Sequence, residues 1–82
     1  KIKDLKIGEN QTITIFAKKY SFPRVRNLPN KVLCYDETGE IDCIFFNSHE
    51  GYIRKILPLN EEITVSGKIT FFKNILLQIQ IN

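Results

Sequence analysis

The most regular feature of this chain is an alternation of apolar and polar residues at its carboxyl end. Side chains two positions apart share one face of an extended strand. That face is apolar at every position here, with Ile75, Leu77, Ile79 and Ile81. The same period of two recurs earlier and predicts a chain built mainly of strands. We predict five strands, at residues 11–20, 31–36, 40–46, 61–72 and 75–82.

The alternation also predicts the core. One face carries Ile13, Ile15 and Ala17 in the first strand, and Ile63, Val65, Ile69 and Phe71 in the fourth. In the third strand Ile41, Cys43 and Phe45 alternate with Asp42, Ile44 and Phe46. We therefore expect part of the third strand to be buried on both faces. Gly67 lies inside the fourth strand, where barrel strands often bend or bulge.

One segment has the period of a helix. Its apolar stripe consists of Tyr52, Ile53, Ile56 and Leu57. Ser48 could accept the free amide hydrogens at the start of this helix, and Pro58 ends it. The helix lies between the third and fourth strands.

Three strands, a short helix and two more strands suit a closed sheet whose helix covers one end. This order predicts a single all-β domain over residues 1–82, a five-stranded OB-fold Greek-key barrel. The nearest rival is an SH3-like barrel, which usually lacks a helix at that place.

The connecting segments have features of their own. Residues 1–10 form a lead-in, with Leu5 and Ile7 as expected anchors and Gly8 as a turn. Residues 36–39 form a tight turn in which Gly39 is able to take a positive φ. The loop at residues 21–30 carries Arg24 and Arg26, and Lys73 lies between the last two strands. These two loops flank the binding face of an OB-fold.

The bulk composition allows a nucleic-acid partner without requiring one, since the net charge is only +3. Cys34 and Cys43 lie on neighbouring predicted strands, and we expect two reduced core thiols. His49 is the single histidine, so we expect no metal site.

No apolar run approaches the roughly 20 residues that span a bilayer. We expect the chain to be cytoplasmic and monomeric. We also expect it to be a piece of a longer chain, since the sequence starts at Lys1 and contains no Met.

The residues that could support catalysis do not form a recognisable set. The four glycines are too scattered for a phosphate-binding loop. The carboxylates Asp36, Glu37, Glu40 and Asp42 cluster around a turn, which favours solvated side chains over an acid–base pair. We expect no enzyme activity and no cofactor.

Aromatic and basic residues favour nucleic-acid binding, because aromatic side chains stack on bases while cations follow phosphates. Phe45 and Phe46 are adjacent, so they must point to opposite faces of the strand. We expect Phe45 in the core. Phe46 and Tyr52, which lies on the first turn of the helix, are the candidates for stacking on bases. The other candidate contacts to nucleic acid are Asn47, Arg24, Arg26 and Lys73.

Three short motifs resemble a known family. They are the turn Asp36-Glu37-Thr38-Gly39, the run from Ile44 to Tyr52 that continues through Leu57, and Val65-Ser66-Gly67-Lys68-Ile69. Together they resemble the wedge domain of the RecG-type ATP-dependent DNA helicase, over about residues 5–81.

The resemblance implies a domain that binds branched or single-stranded DNA and separates strands at stalled replication forks and recombination junctions. It implies that Phe46 and Tyr52 stack on unpaired bases, and that bacterial motor domains elsewhere in the parent chain hydrolyse ATP. Two alternatives stay open. One is another OB-fold module, binding a tRNA anticodon or single-stranded DNA, and the other is a protein-interaction barrel.

Overall fold

A computed structural model describes residues 2–25, 27–46, 48–72 and 74–79, with side chains up to residue 70. The predicted roles of Arg26, Asn47 and Lys73 therefore lie outside the described residues, as do positions 80–82 of the fifth predicted strand. The chain begins with a 3₁₀ helix at Ile2–Asp4. The further elements are β1 at Asn10–Ser21, β2 at Asn30–Asp36, β3 at Gly39–Phe45, helix α1 at Glu50–Ile56, β4 at Glu62–Phe72 and β5 at Asn74–Ile79.

The strands form a closed barrel in the order β1-β2-β3-β5-β4. β3 and β5 run parallel, and the other described pairs are antiparallel. The barrel closes because β1 is long enough to pair with β4 at its start and with β2 at its end. The predicted mostly antiparallel β-barrel, with one helix between the third and fourth strands, is confirmed.

A bulge in β1 marks the point where this strand changes partner. Ala17 pairs with Cys34 and Lys19 with Leu33, so Lys18 is the extra residue. The Asn60 N–H donates to the Ala17 carbonyl at 2.7 Å. Gly67 forms no bulge against β1, since the pairing of β1 with β4 runs through that residue without a register shift.

Where the structure describes side chains, the core contains most of those that the alternation predicts to point inward, and Ile63 and Val65 are partly buried against it. The predictions for the side chains of Phe71 and of the fifth strand lie outside the described part of the chain. β1 contributes Ile13, Ile15 and Ala17, β3 contributes Ile41, Cys43 and Phe45, and β4 contributes Ile69. Ile53 of α1 and the C-cap residue Leu57 are fully buried and belong to the same core cluster. Ile44, on the opposite face of β3 from Phe45, is also buried, so the expectation of burial on both faces of β3 is confirmed.

The two cysteines are free and buried, as predicted. The Cys43 thiol donates a hydrogen bond to Cys34 Sγ at 3.5 Å, and Cys34 Sγ donates to the Val32 carbonyl at 3.6 Å. The hydrogen bond to Cys34 and burial both raise the pKa of Cys43 well above the usual range of a thiol. The Cys43 thiol therefore stays protonated, and both cysteine side chains pack as small apolar core groups.

The N-terminal segment is anchored differently from the prediction. Ile2 is the buried residue, Leu5 packs against the core, and Ile7 is exposed. The turn at Gly8 is confirmed, with φ 89° and an N–H that donates to the Ile69 carbonyl at 2.7 Å. The prediction is therefore confirmed for Leu5 and wrong for Ile7, and Ile2 of the 3₁₀ helix is a further anchor.

The Asp36 carboxylate joins the β2–β3 turn to the 3₁₀ helix. Its Oδ2 accepts the Ile2 N–H at 2.7 Å, and its Oδ1 accepts the Thr38 N–H and hydroxyl, each at 2.6 Å. The Thr38 hydroxyl oxygen accepts the Lys3 N–H at 3.1 Å. Gly39 does not take the positive φ that a glycine allows there. The turn is stabilised instead by the hydrogen bonds that Asp36 accepts from Thr38, two residues further on.

The helix starts one residue later than the predicted cap allows. The first helical bond runs from the Ile53 N–H to the His49 carbonyl at 3.0 Å, so His49 is the N-cap, and its side chain makes no capping bond. Ser48 is too early to cap, and its carbonyl accepts Asn30 Nδ2 at 2.9 Å instead. In the described part of the chain, no helix combines the length and the apolar character needed to cross a bilayer.

Candidate nucleic-acid interface

Phe45 and Phe46 separate at the end of β3. Phe45 is 2% exposed inside the core, whereas the next side chain, Phe46, is 55% exposed. Adjacent residues along a strand point to opposite faces, and β3 ends at Phe45, so Phe46 has no partner in the described pairing of β2 with β3. The predicted separation of the two rings is confirmed. Phe46 leaves an aromatic ring in solvent at the rim of the barrel.

Tyr52 lies at the edge of the buried stripe of α1. Ile53 and Leu57 point into the barrel, Ile56 is half-buried, and Tyr52 is 39% exposed. The core therefore buries only part of the apolar stripe, and Tyr52 lies in the part that remains exposed. The second candidate ring is also accessible to a ligand.

The loop between β1 and β2 lies against Phe46. Together they line an open depression of about 410 Å³. Its lining consists of Asn27, Leu28, Pro29, Asn30, Phe45, Phe46 and Ser48. The hydrogen bond from Asn30 Nδ2 to the Ser48 carbonyl joins the two walls. Arg24 is exposed in the same loop, so the structure brings a cation-bearing loop to the rim that carries Phe46.

The tip of this loop is a tight turn. The Leu28 N–H donates to the Val25 carbonyl at 3.4 Å, and Asn27 has a φ of 75°. Asparagine tolerates this left-handed conformation better than most residues. The turn leaves Val25 and Leu28 in solvent, 63% and 55% exposed. Apolar side chains thus continue the exposed surface beside Phe46.

Arg54 has a role that sequence reasoning missed. Its guanidinium carbon lies 4.7 Å from the ring centre of Tyr20 and 5.1 Å from that of Phe22. The two rings are themselves stacked, with centres 5.2 Å apart. The Tyr20 hydroxyl donates to the Leu57 carbonyl at 2.7 Å. These contacts fasten α1 to the end of β1, and so hold the helix that carries Tyr52.

We expect Arg54→Lys to weaken this attachment almost as much as Arg54→Ala. A planar guanidinium stacks on aromatic rings, whereas an ammonium makes a poorer stack. The loss of the cation–π contacts should lower the free energy of unfolding by about 0.5–1 kcal/mol. Urea unfolding measures this loss, with Lys55→Ala on the same helix as a control. Full stability in the lysine variant would show that charge alone, not stacking, is what Arg54 supplies.

The outer face of β1 and β2 has a different character. Phe16 and Tyr35 stack there with ring centres 5.4 Å apart. Phe16 pairs with Glu62 on β4, and Tyr35 pairs with Glu40 on β3. A depression of about 400 Å³ beside Phe16 also has Asp36, Glu37 and Glu62 in its lining. A polyanion is disfavoured here, although this face presents a stacked aromatic pair.

Lys18 does not make this acidic face attractive to a polyanion, because its positive charge is paired with Glu40. Its Nζ donates to Glu40 Oε2 at 2.8 Å. The hydrogen bond and the charge of Glu40 raise the pKa of Lys18 above its ordinary value. Three carboxylates thus line the depression beside Phe16, whereas none of the described residues that line the depression beside Phe46 is a carboxylate.

The described residues contain no group of three histidine, cysteine, aspartate or glutamate side chains placed to hold a metal ion. The described residues at the rim offer stacking, hydrogen bonding by amides and hydroxyls, and charge attraction by Arg24 of the loop. Comparison with protein-family models found no match, and comparisons with curated proteins and with solved structures found none either.

Proposed function

We propose that this chain is an OB-fold domain that binds branched DNA, as the wedge domain of a RecG-type ATP-dependent DNA helicase. Support for the OB-fold comes from the strand order β1-β2-β3-β5-β4, with β3 and β5 parallel and a helix between β3 and β4. Motor domains elsewhere in the parent chain would supply ATP hydrolysis. This domain would act at stalled replication forks and recombination junctions.

The exposed ring of Phe46, next to the buried ring of Phe45, carries this proposal. Folding gains little from an aromatic side chain that stays mostly in water. A ring left exposed among other exposed apolar groups is typical of an interaction surface. Bases are suitable partners because every base offers a flat face for stacking.

In this mechanism the domain is a passive wedge. Arg24 on the β1–β2 loop attracts phosphates, while Phe46 and Tyr52 cap the last base pair where the strands separate. The carboxylates around Phe16 and Tyr35 repel the backbone from the outer face of β1 and β2, which favours one orientation of the DNA. Two half-exposed rings and few cations give only weak binding, so we expect dissociation constants in the micromolar range or above.

The test is a double substitution of the two rings. We expect Phe46→Ala with Tyr52→Ala to weaken binding to forked DNA by about thirtyfold, because each half-exposed ring contributes about 1 kcal/mol, the low end for stacking on a base. Fluorescence anisotropy at low salt measures the affinity. Ile7→Ala removes an equally exposed apolar side chain from the N-terminal segment and serves as the control. Unchanged affinity in the double variant would refute stacking.

The exposure of Val25 and Leu28 also favours a second candidate, a protein-interaction barrel. This candidate predicts that the chain has no affinity for DNA even at low salt, where phosphate contacts are strongest. A competition experiment distinguishes a wedge domain from the other OB-fold modules. Competition among forked DNA, single-stranded DNA and tRNA should favour the fork if the chain is a wedge, and an unbranched strand or tRNA if it is not.

A further inference from the structure

We propose that the depression between the β1–β2 loop and Phe46 is a binding site for one unpaired nucleobase. This inference rests on the proposed function, and it adds a second wall to the stacking surface. In the wedge mechanism Phe46 covers a base from one side only. The depression gives that base a site in which the loop encloses it as well.

The size of the depression suits a ligand of this class. Its volume of about 410 Å³ falls at the low end of small-molecule sites, which span roughly 300–1,000 Å³. A single base with part of its sugar can be accommodated in a site of this volume. The site is open, so a base still attached to its strand can enter from solvent.

The chemistry of the lining also suits a base. Phe46 offers a ring face for stacking, and the exposed side chain of Leu28 offers an apolar contact from the loop. Asn27, Asn30 and Ser48 add amide and hydroxyl groups, which can hydrogen-bond to the edge of a base. None of the described residues that line the depression is charged. A neutral, flat, polar-edged group fits this set better than a phosphate or a metal ion does.

Two hydrogen bonds within the chain support the walls of the depression. Asn30 pairs with Phe45 across β2 and β3, and its side chain donates to the Ser48 carbonyl beyond Phe46. The hydrogen bond from Leu28 to Val25 closes the loop tip on the other side. Little ordering is then required on binding, so the entropic cost of enclosing one base is small. Arg24 in the same loop is available for the phosphate of the bound nucleotide.

The test combines changes in the DNA and in the protein. We measure anisotropy of the 82-residue chain with forked DNA that carries either one unpaired base at the junction or an abasic residue there. Wild-type protein should bind the abasic fork at least about fivefold more weakly, the low end of one base stack. Leu28→Ser should remove most of this difference, because it takes away the loop wall of the site without changing the core.

Val25→Ser is the matched control. Val25 is equally exposed in the same loop, but it does not line the depression, so this variant should keep the difference between the two forks. As a direct measurement, a mononucleotide should shift the NMR signals of Leu28 and Phe46 and leave those of Val25 unchanged.

The outcomes separate this inference from the proposed function. If the two forks bind wild-type protein equally, while Phe46→Ala still weakens binding, the base site is refuted and the wedge stands. If Val25→Ser abolishes the difference as fully as Leu28→Ser does, the loop acts in general and the site is refuted. If the wild-type chain binds neither fork at low salt, both the site and the wedge are wrong.

Discussion

Phe45→Ala is expected to lower the free energy of unfolding by about 3–5 kcal/mol, the usual cost of truncating a buried phenylalanine. Phe45 is 2% exposed and contacts the core that the sheet and α1 enclose. An 82-residue domain has a total stability of only about 4–12 kcal/mol, at 0.05–0.15 kcal/mol per residue. The variant should therefore be close to its unfolding transition at room temperature.

Phe46→Ala, one position further along, should change stability by no more than about 0.5 kcal/mol. Urea unfolding followed by circular dichroism gives both values from the same measurement. Phe45→Leu is a useful third variant, since it fills part of the cavity and should recover much of the loss. A loss of several kcal/mol in Phe46→Ala would show that its ring is part of the core, and the stacking proposal would lose its basis.

This contrast shows what the sequence predicts well. The side to which a strand residue points is set by local geometry, so neighbouring phenylalanines must diverge wherever the strand is regular. The same rule identified Ile15, Cys43 and Ile69 as core residues. It required no knowledge of which strands are partners.

The bulge at Lys18 shows where the local rule fails. Strict alternation would turn Lys19 inward and Tyr20 outward, whereas Lys19 is exposed and Tyr20 packs against the core. The bulge forms where β1 leaves β4 for β2, which is a property of the closed barrel. One local signal existed, because two consecutive lysines interrupt an otherwise alternating strand.

The stack of Arg54 on Tyr20 and Phe22 could not be predicted for a related reason. The cation lies on a helix, and the rings lie at the far end of the first strand. Nothing in either segment specifies that they meet. An exposed helical arginine is most simply interpreted as a solvated charge, and only the closed barrel brings it over the rings. The anchoring of Ile2 by Asp36 is non-local in the same sense.

Asp36→Asn is expected to lower the free energy of unfolding near neutral pH by about 2–3 kcal/mol, in the range for hydrogen bonds to a charged group. Both carboxylate oxygens accept hydrogen bonds in the folded chain, one from Ile2 and the other from Thr38. An asparagine has one acceptor oxygen, so its amide group must face a donor. The N-terminal segment should then detach more readily from the turn.

The same contacts predict how the stability of the natural chain depends on pH. Desolvation opposes ionisation of Asp36, but hydrogen bonds from Thr38, Ile2 and Gly39 outweigh it and lower the pKa of the carboxyl below its ordinary value. A lowered pKa in the folded state means that the stabilisation is fully present above the unfolded-state pKa of about 3.9. It is lost as the pH falls below that value and through the folded-state pKa.

Urea unfolding at about pH 6 and about pH 3 should therefore show a smaller loss of stability on acidification in Asp36→Asn than in the wild type. Glu61→Gln removes one exposed carboxylate and alters the net charge equally, so it should keep the wild-type loss. If both variants lose as much stability as the wild type, Asp36 does not hold the N-terminal segment. The residues of the turn at 36–39 would then not be explained by this contact with the 3₁₀ helix. If only Asp36→Asn differs, the Asp-x-Thr-Gly motif is a fastening between the turn and the 3₁₀ helix, and its residues need no contact with nucleic acid.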